Sequence, residues 1–307
     1  MTPAPLYNDL ERMPEGGHAY WRKASDGTRI RTAVWHGDGD KTVLIFPGRT
    51  EFIEKYGDVI AQLLNRGYSV AIIDWRGQGL SDRHPAKRDL GWVKDFSDYQ
   101  LDVAELLATA KEAGLPNLFA MIGHSMGGCI GLRSLLNGLP IHKVIFSGPM
   151  WGIYVEPRMR ILAAIISRIG PTLGFGDSFV PSGSANYSVL TEPFEGNVLT
   201  NDRTQYDIMT RQLQAHSELG LGAPSLRWFN RAQAEAAKLV MAAPAKQDCL
   251  CLFGSDEAIV SVPKIHSVMA KWPNGKLVEI PNAHHEVLME GSTQLALVWA
   301  EIDAHLT

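Results

Sequence analysis

The sequence predicts an α/β fold, with a mostly parallel central sheet, helices on both faces and an inserted helical cap. Three observations carry this. Short aliphatic runs alternate with helix-period segments over the first half of the chain. The alternation breaks between residues 149 and 245, and it resumes from there to residue 307. Strands that alternate with helices pair in parallel, because each crossover helix returns the chain to the same end of the sheet. The expected division is therefore a core in two parts, residues 1–148 and 246–307, around a cap insertion at 149–245.

Taken in order, His18 to Lys23 and Thr28 to Trp35 read as two strands joined by the hairpin turn Asp26-Gly27. Thr42 to Phe46 is an unbroken aliphatic run, which suits a strand buried on both faces. A helix pattern from Ile53 to Leu64 stops at Gly67, and Tyr68 to Ile73 is the next buried strand. A helix follows from Asp98 to Ala113, whose residues Leu101, Ala104, Leu107 and Ala108 recur at the spacing of one helical face. The run Leu118 to Ile122 then passes directly into Gly123-His124-Ser125-Met126-Gly127, and Lys143 to Phe146 is the strand after it. In the cap, Met159 to Ile169 and Gln205 to Leu213 are helical, separated by a Gly/Pro/Ser loop from Gly170 to Gly183. Strand Cys249 to Phe253, helix Val262 to Ala270, strand Lys276 to Ile280 and helix Thr293 to His305 complete the core.

Composition narrows the function classes. A formal net charge of -4 over 307 residues offers no basic field for nucleic acid. Three cysteines, Cys129, Cys249 and Cys251, are too few for a disulfide framework, and no further Cys or His clusters near the C-x-C pair to complete a metal site. Neither a metal nor a cofactor is expected. Met1 to Gly17 is polar and proline-containing, unlike a signal peptide. No apolar run approaches the roughly 18 residues of a membrane span. The expected location is the cytoplasm.

A strand that turns into a helix through Gly-x-Ser-x-Gly lifts the serine hydroxyl above the sheet, because the glycines let strand and helix approach where a side chain would clash. The bare pattern arises by chance in roughly one in ten chains of this length, so Ser125 needs partners. A hydroxyl becomes a nucleophile only when a base takes its proton and a third group orients that base. The loop after Phe253 offers Asp256 and Glu257, and the loop after Ile280 offers His284 and His285. Both follow Ser125 in the order serine, acid, histidine. Within each pair, only one member can face Ser125. The Met126 N–H, at the start of its helix, is a candidate oxyanion donor, and the Arg49 N–H, after Gly48, is a second. The Arg49 side chain is open to an ion pair with Glu51 or to a phosphate.

The pieces Pro47-Gly48-Arg49-Thr50-Glu51, Asp74-Trp75-Arg76-Gly77-Gln78-Gly79-Leu80-Ser81, Gly123-His124-Ser125-Met126-Gly127-Gly128 and Gly148-Pro149-Met150 resemble the lysophospholipase and monoacylglycerol lipase group of the α/β-hydrolase fold. The likeness runs from about Asp26 to the last helix and is weakest in the cap. That group reads Gly-x-x-Asp-x-x-Val at its acid and Ala-x-His-Glu at its base. Matching Gly254 and Ala258-Ile259-Val260 implies Glu257 as the acid, with Asp256 the alternative; matching Ala283 and Glu286 implies His285 as the base. Glutamate here replaces the usual aspartate. Pro-Gly-Arg, where monoacylglycerol lipases have His-Gly, points to the bacterial lysophospholipase-like branch.

The implied function is hydrolysis of carboxylic esters of single-chain lipids. Met150, Trp151 and Tyr154, with Ile153, Leu162 and Ile165, are expected to line an acyl pocket. Peripheral contact with the inner membrane face through the cap is a further expectation, although no basic amphipathic helix stands out. The rivals are a small-ester hydrolase, a peptidase or an acyltransferase on the same scaffold, and a ligand-binding protein that has lost catalysis.

Overall fold

The computed structural model describes residues 1–181 and 183–307, with Arg160 described by its backbone alone; of the Gly170 to Gly183 loop, Ser182 therefore lies outside the described residues. Nine strands form one sheet in the order β1-β2-β3-β5-β4-β6-β7-β8-β9. They are β1 (Thr2–Pro3), β2 (His18–Lys23), β3 (Arg29–Trp35), β4 (Lys41–Phe46), β5 (Ser69–Asp74), β6 (Asn117–His124), β7 (Lys143–Ser147), β8 (Asp248–Gly254) and β9 (Gly275–Ile280). The first three strands and the β3–β5 pair are antiparallel, and every pairing from β5–β4 to β8–β9 is parallel. Strands β4 to β8 are almost wholly buried, as their unbroken aliphatic runs require of strands covered on both faces.

Helices α1 (Gly57–Leu64), α2 (Tyr99–Glu112), α3 (Met126–Leu136), α8 (Val262–Met269) and α9 (Ser292–Leu306) cover the sheet. Two apolar clusters result, one under α2 and α3 and the other under α1 and α9. Helix α2 buries a stripe different from the expected one: Tyr99, Asp102, Val103, Leu106, Thr109 and Ala110 face inward. Asp102 is the reason. Its carboxylate accepts Arg76 Nε at 2.8 Å and the Arg76 N–H at 3.0 Å, so a charged residue occupies the centre of the buried face.

Among the described residues between β7 and β8, no strand joins the sheet. The chain there forms α4 (Arg160–Ile169), α5 (Ser188–Thr191), α6 (Arg203–Ala215) and α7 (Leu226–Met241). Helix α7 is absent from the sequence expectation. Trp228, Ala232, Leu239 and Val240 join the main core cluster, so α7 packs on the body of the molecule. Ser225 caps it by accepting the Trp228 N–H at 3.0 Å.

The Asp74-to-Ser81 motif is a brace. Asp74 accepts Arg31 Nε at 2.7 Å, the Ile53 N–H at 2.9 Å and the Leu80 N–H at 2.8 Å. Trp75 Nε1 donates to the Pro47 carbonyl at 2.9 Å, and Gln78 Nε2 donates to the Gly48 and Glu51 carbonyls at 2.7 and 3.1 Å. The loop after β4 is thus held from below by the loop after β5.

Candidate active site

The carboxyl ends of β4, β6, β8 and β9 meet at one edge of the sheet, and the site is built from the loops that leave them. Ser125 lies between β6 and α3 with φ 47° and ψ -115°, a conformation that side-chain-bearing residues rarely adopt. The glycines explain how it persists. A Cβ on Gly127 would fall 1.9 Å from the Phe46 carbonyl oxygen, and one on Gly128 would fall 2.7 Å from Pro149 Cβ. The Ser125 N–H donates to the Ser147 carbonyl at 2.9 Å, and its own carbonyl accepts the Met150 N–H at 2.9 Å. The turn is over-determined from both neighbouring strands, which is how such strain is held.

Ser125 and His285 line one cavity of about 300 Å³. Behind His285, the Nδ1 atom lies 2.7 Å from Glu257 Oε2. The other Glu257 oxygen accepts the N–H groups of Ile259 at 2.7 Å and Val260 at 3.0 Å. Burial pushes the Glu257 carboxyl up, but the His285 hydrogen bond and charge, with the two N–H donors, outweigh it and hold the group below its usual range. Gly148 makes room for this pair: a Cβ there would approach His285 Nδ1 at 3.1 Å and Glu257 Oε2 at 3.2 Å. Asp256 and His284 are elsewhere. Asp256 is exposed, and His284 Nδ1 lies 3.3 Å from the Asp256 carbonyl oxygen.

Arg49 also lines the cavity, on the loop after β4. Among the described residues neither the Arg49 N–H nor the Met126 N–H donates to another protein group, which leaves both available to a ligand oxygen. Glu51 holds the loop closed. Its carboxylate accepts the Gly48 N–H and the Tyr56 hydroxyl, the latter at 2.5 Å, and Lys55 Nζ at 2.9 Å. Lys55 also donates to Glu286 at 2.6 Å, one residue past His285. One buried ammonium therefore ties the loop after β4 to the loop after β9. Burial works against the Glu51 charge, but Lys55 outweighs it and keeps the carboxyl well below the usual range. Glu286 is pushed up, chiefly by burial.

Glu51, His124 and Glu286 bring potential metal-donor atoms within 4.8 Å of one another, but the Lys55 ammonium already fills the cation position between the two carboxylates. His124 donates its Nδ1 proton towards the Ser147 carbonyl at 2.9 Å, and burial depresses its pKa to about 4, so its ring is neutral beside His285. Cys249 and Cys251 are buried in β8, where burial pushes both thiols up.

Of the expected acyl-pocket residues, Met150 and Ile153 line the cavity. Trp151 does not. It is buried in the core against Phe146 and Trp272, because its indole N–H reaches the Gly128 carbonyl inward at 3.3 Å. Tyr154 is half-exposed in a separate surface groove with Lys264 and Gln233. Leu162 and Ile165 point outward from α4. The apolar lining comes instead from Leu199, Pro224, Trp228, Phe229, Ile259 and Val260. Trp228 and Phe229 were hidden in α7, although Ser225 three residues before Trp228, followed by Ala232, Ala236 and Leu239 at helical spacing, is a readable signal.

The family model described as serine aminopeptidase, S33 (Hydrolase_4), matches residues 37–292. Lysophospholipase L2 of Escherichia coli (strain K12) is 28% identical over 260 residues, covering 82% of this chain and 76% of its own length. A probable lysophospholipase L2 of Haemophilus influenzae is 28% identical over 252 residues, covering 81% and 78%. Among solved structures, a soluble variant of monoglyceride lipase from Saccharomyces cerevisiae, in complex with a substrate analog, superimposes with a TM-score of 0.72 at 21% identity, over 99% of this chain and 98% of that one. A thermostable carboxyl esterase from Bacillus coagulans gives 0.69 at 15% identity, over 96% and 100%. Both structural matches share the α/β-hydrolase fold with this chain.

Proposed function

The chain belongs to the serine aminopeptidase S33 family of α/β-hydrolases, in its lysophospholipase and monoacylglycerol lipase-like group, and we propose that it cleaves carboxylic esters of single-chain lipids through an acyl-enzyme on Ser125. The observation that carries this is the convergence of Ser125 and His285 on one apolar-walled cavity, with Glu257 2.7 Å behind the imidazole. His285 takes the Ser125 proton as the oxygen attacks the ester carbonyl. The carbonyl oxygen, now negative, is held by the N–H groups of Arg49 and Met126. Collapse of this intermediate breaks the bond to the alcohol, which leaves with the proton carried by His285. Water then gives His285 a proton and attacks the acyl group, and His285 returns that proton to the Ser125 oxygen as the fatty acid leaves.

A panel of esters of one alcohol with graded acyl chains tests the substrate class. The expected result is a kcat/KM that rises with chain length to a medium or long acyl group, as apolar area is buried against Trp228, Phe229 and Ile259. A preference for acetyl esters would replace the lipid reading with a small-ester one. An aminopeptidase needs a free carboxylate for the substrate ammonium. The two acids on the cavity wall, Glu51 and Glu286, are both engaged by Lys55, which disfavours that activity.

We also infer that the cap meets a lipid surface through α4. Ile161, Leu162, Ile165 and Ile169 share one face, and they point to solvent: Ile161 is 76% exposed. Leu173 and Phe175, 67% and 59% exposed, extend the same patch. Arg168 is exposed nearby and makes no ion pair among the described residues, whereas Arg158 lies 3.9 Å from Glu156, so Arg168 is the cation left to meet an anionic headgroup. No helix among the described residues is long and apolar enough to cross a membrane. Co-sedimentation with anionic phosphatidylglycerol vesicles is expected for the wild type and reduced about tenfold or more in Ile161→Asp/Ile165→Asp, with short-chain ester turnover retained. A monodisperse dimer that buries this face and ignores vesicles would refute it.

A further inference from the structure

Every acidic or basic side chain on the cavity wall has a partner of opposite charge except Arg49. Glu51 and Glu286 share Lys55, and His285 faces Glu257. Arg49 makes no ion pair among the described residues; the one titratable neighbour acting on it is the Tyr99 hydroxyl. Its guanidinium is nonetheless fixed. Nη2 donates to the Gly222 carbonyl, and the Trp228 ring centre lies 5.3 Å from Cζ. Gly91 packs so closely that a Cβ there would meet Nη2 at 2.6 Å. Five N–H donors are carried by such a group. Here Nε is sealed from solvent against Gly91 with no acceptor, and Nη1, which makes no hydrogen bond and is not sealed, is the donor left for a ligand.

A desolvated cation with unspent donors, fixed by an aromatic face, is a receptor for an anion. Burial without a counter-charge pushes its pKa down to about 10, so it remains charged at neutral pH. Its position defines which part of a substrate it meets. The Arg49 backbone faces the carbonyl oxygen in the proposed reaction, so its side chain reaches a group close to the scissile ester. Acyl chains bring no charge. The anion must therefore sit on the alcohol side.

We propose that the Arg49 guanidinium binds the phosphate on the alcohol portion of a single-chain phospholipid and thereby selects lysophospholipids over monoacylglycerols. The proposal rests on the ester-hydrolase reading above. The structural alternative is a clamp that merely ties the loop after β4 to the Gly222 carbonyl.

The test compares 1-lauroyl-glycerol-3-phosphate with 1-lauroylglycerol, both below their micelle concentrations, in wild type, Arg49→Lys and Arg49→Met. The expected result is a phosphate preference in kcat/KM that falls about tenfold or more in Arg49→Met and partly survives in Arg49→Lys, the change residing mainly in KM. Equal losses on both esters would show a clamp and overturn the proposal. A second arm uses non-hydrolysable ether analogues of the two lipids, titrated calorimetrically into Ser125→Ala and Ser125→Ala/Arg49→Met. The phosphate ether is expected to bind more tightly than the neutral ether only when Arg49 is present. If the double variant keeps that selectivity, Arg49 is not the receptor. Inorganic phosphate, binding as tightly as the ether phosphate, would identify a free-anion site and overturn the lipid assignment. If neither ester is turned over but the Arg49-dependent binding persists, the phosphate site stands and the hydrolase reading falls.

Discussion

Replacing Ser125 with alanine is expected to lower ester hydrolysis by roughly 10⁴- to 10⁶-fold and to abolish labelling by a fluorophosphonate probe. The size follows from the site. Among the described residues the other hydroxyls on the cavity wall, Thr50 and Ser188, bond to no histidine, and Cys129, four residues further on, is buried in α3, where burial holds its thiol well above the usual range. The fold is expected to survive. The positive φ of residue 125 is imposed by the close approach of Gly127 to Phe46 and of Gly128 to Pro149, contacts that the hydroxyl does not share. The Ser125 backbone bonds to Ser147 and Met150 also remain. Thermal unfolding should therefore shift by no more than about 2 °C while turnover collapses. Residual hydrolysis above about one part in a hundred would place the nucleophile elsewhere.

The fold was legible wherever one physical cause dominated a segment. The aliphatic residues Val43 to Ile45 and Val70 to Ile73 dominate two segments expected as buried strands, Thr42 to Phe46 and Tyr68 to Ile73, and each became a strand of the sheet to within one or two residues. Reading failed where charge and burial coincide. The inner face of α2 carries Asp102, and a hydrophobic pattern gives no hint that Arg76, distant in sequence, neutralises it. Helix α7 failed for another reason. Its buried stripe is rich in alanine, which helix and core both accept, so apolar periodicity is faint there.

The candidate site divides in the same way. Ser125, the acid loop and the histidine loop stand at strand ends, a position set by topology and hence by sequence order. The cavity wall depends on which face of each segment between β7 and β8 turns inward. Trp151 and Tyr154, three residues apart, were read alike, but one enters the core and the other meets solvent. The Lys55 bridge between Glu51 and Glu286 joins residues separated by more than two hundred positions, which no local pattern encodes. The Arg49 side chain shows the same limit: the nearby Glu51 suggested an ion pair, but Lys55 claims that carboxylate and leaves the guanidinium alone.

Adjacent acids in one loop allow a sharp test of the orienting group, and Glu257→Gln is expected to lower kcat by roughly 10⁴-fold. The carboxylate holds His285 Nδ1–H at 2.7 Å while its other oxygen accepts two backbone N–H groups. An amide offers one acceptor oxygen and one NH₂. With oxygen kept on Ile259 and Val260, the NH₂ faces Nδ1 and selects the tautomer protonated at Nε2, which has no lone pair for the Ser125 proton. Imidazolium formed in the reaction also loses its counter-charge. Asp256→Asn is expected to change kcat by less than about twofold, because Asp256 is exposed, its carboxylate takes only a 3.4 Å bond from the adjacent Ser255 hydroxyl, and its bonds to the histidine loop run through its backbone N–H and carbonyl. Stability carries an independent sign. The Glu257 carboxyl lies below its usual range in the folded chain, so its stabilising contribution is present above the unfolded pKa and fades as pH falls through the folded one. The gap in unfolding midpoint between wild type and Glu257→Gln should therefore be widest near neutrality and narrow in acid. If Asp256→Asn were the crippling change, or if the gap widened in acid, Glu257 would not be the group that orients His285.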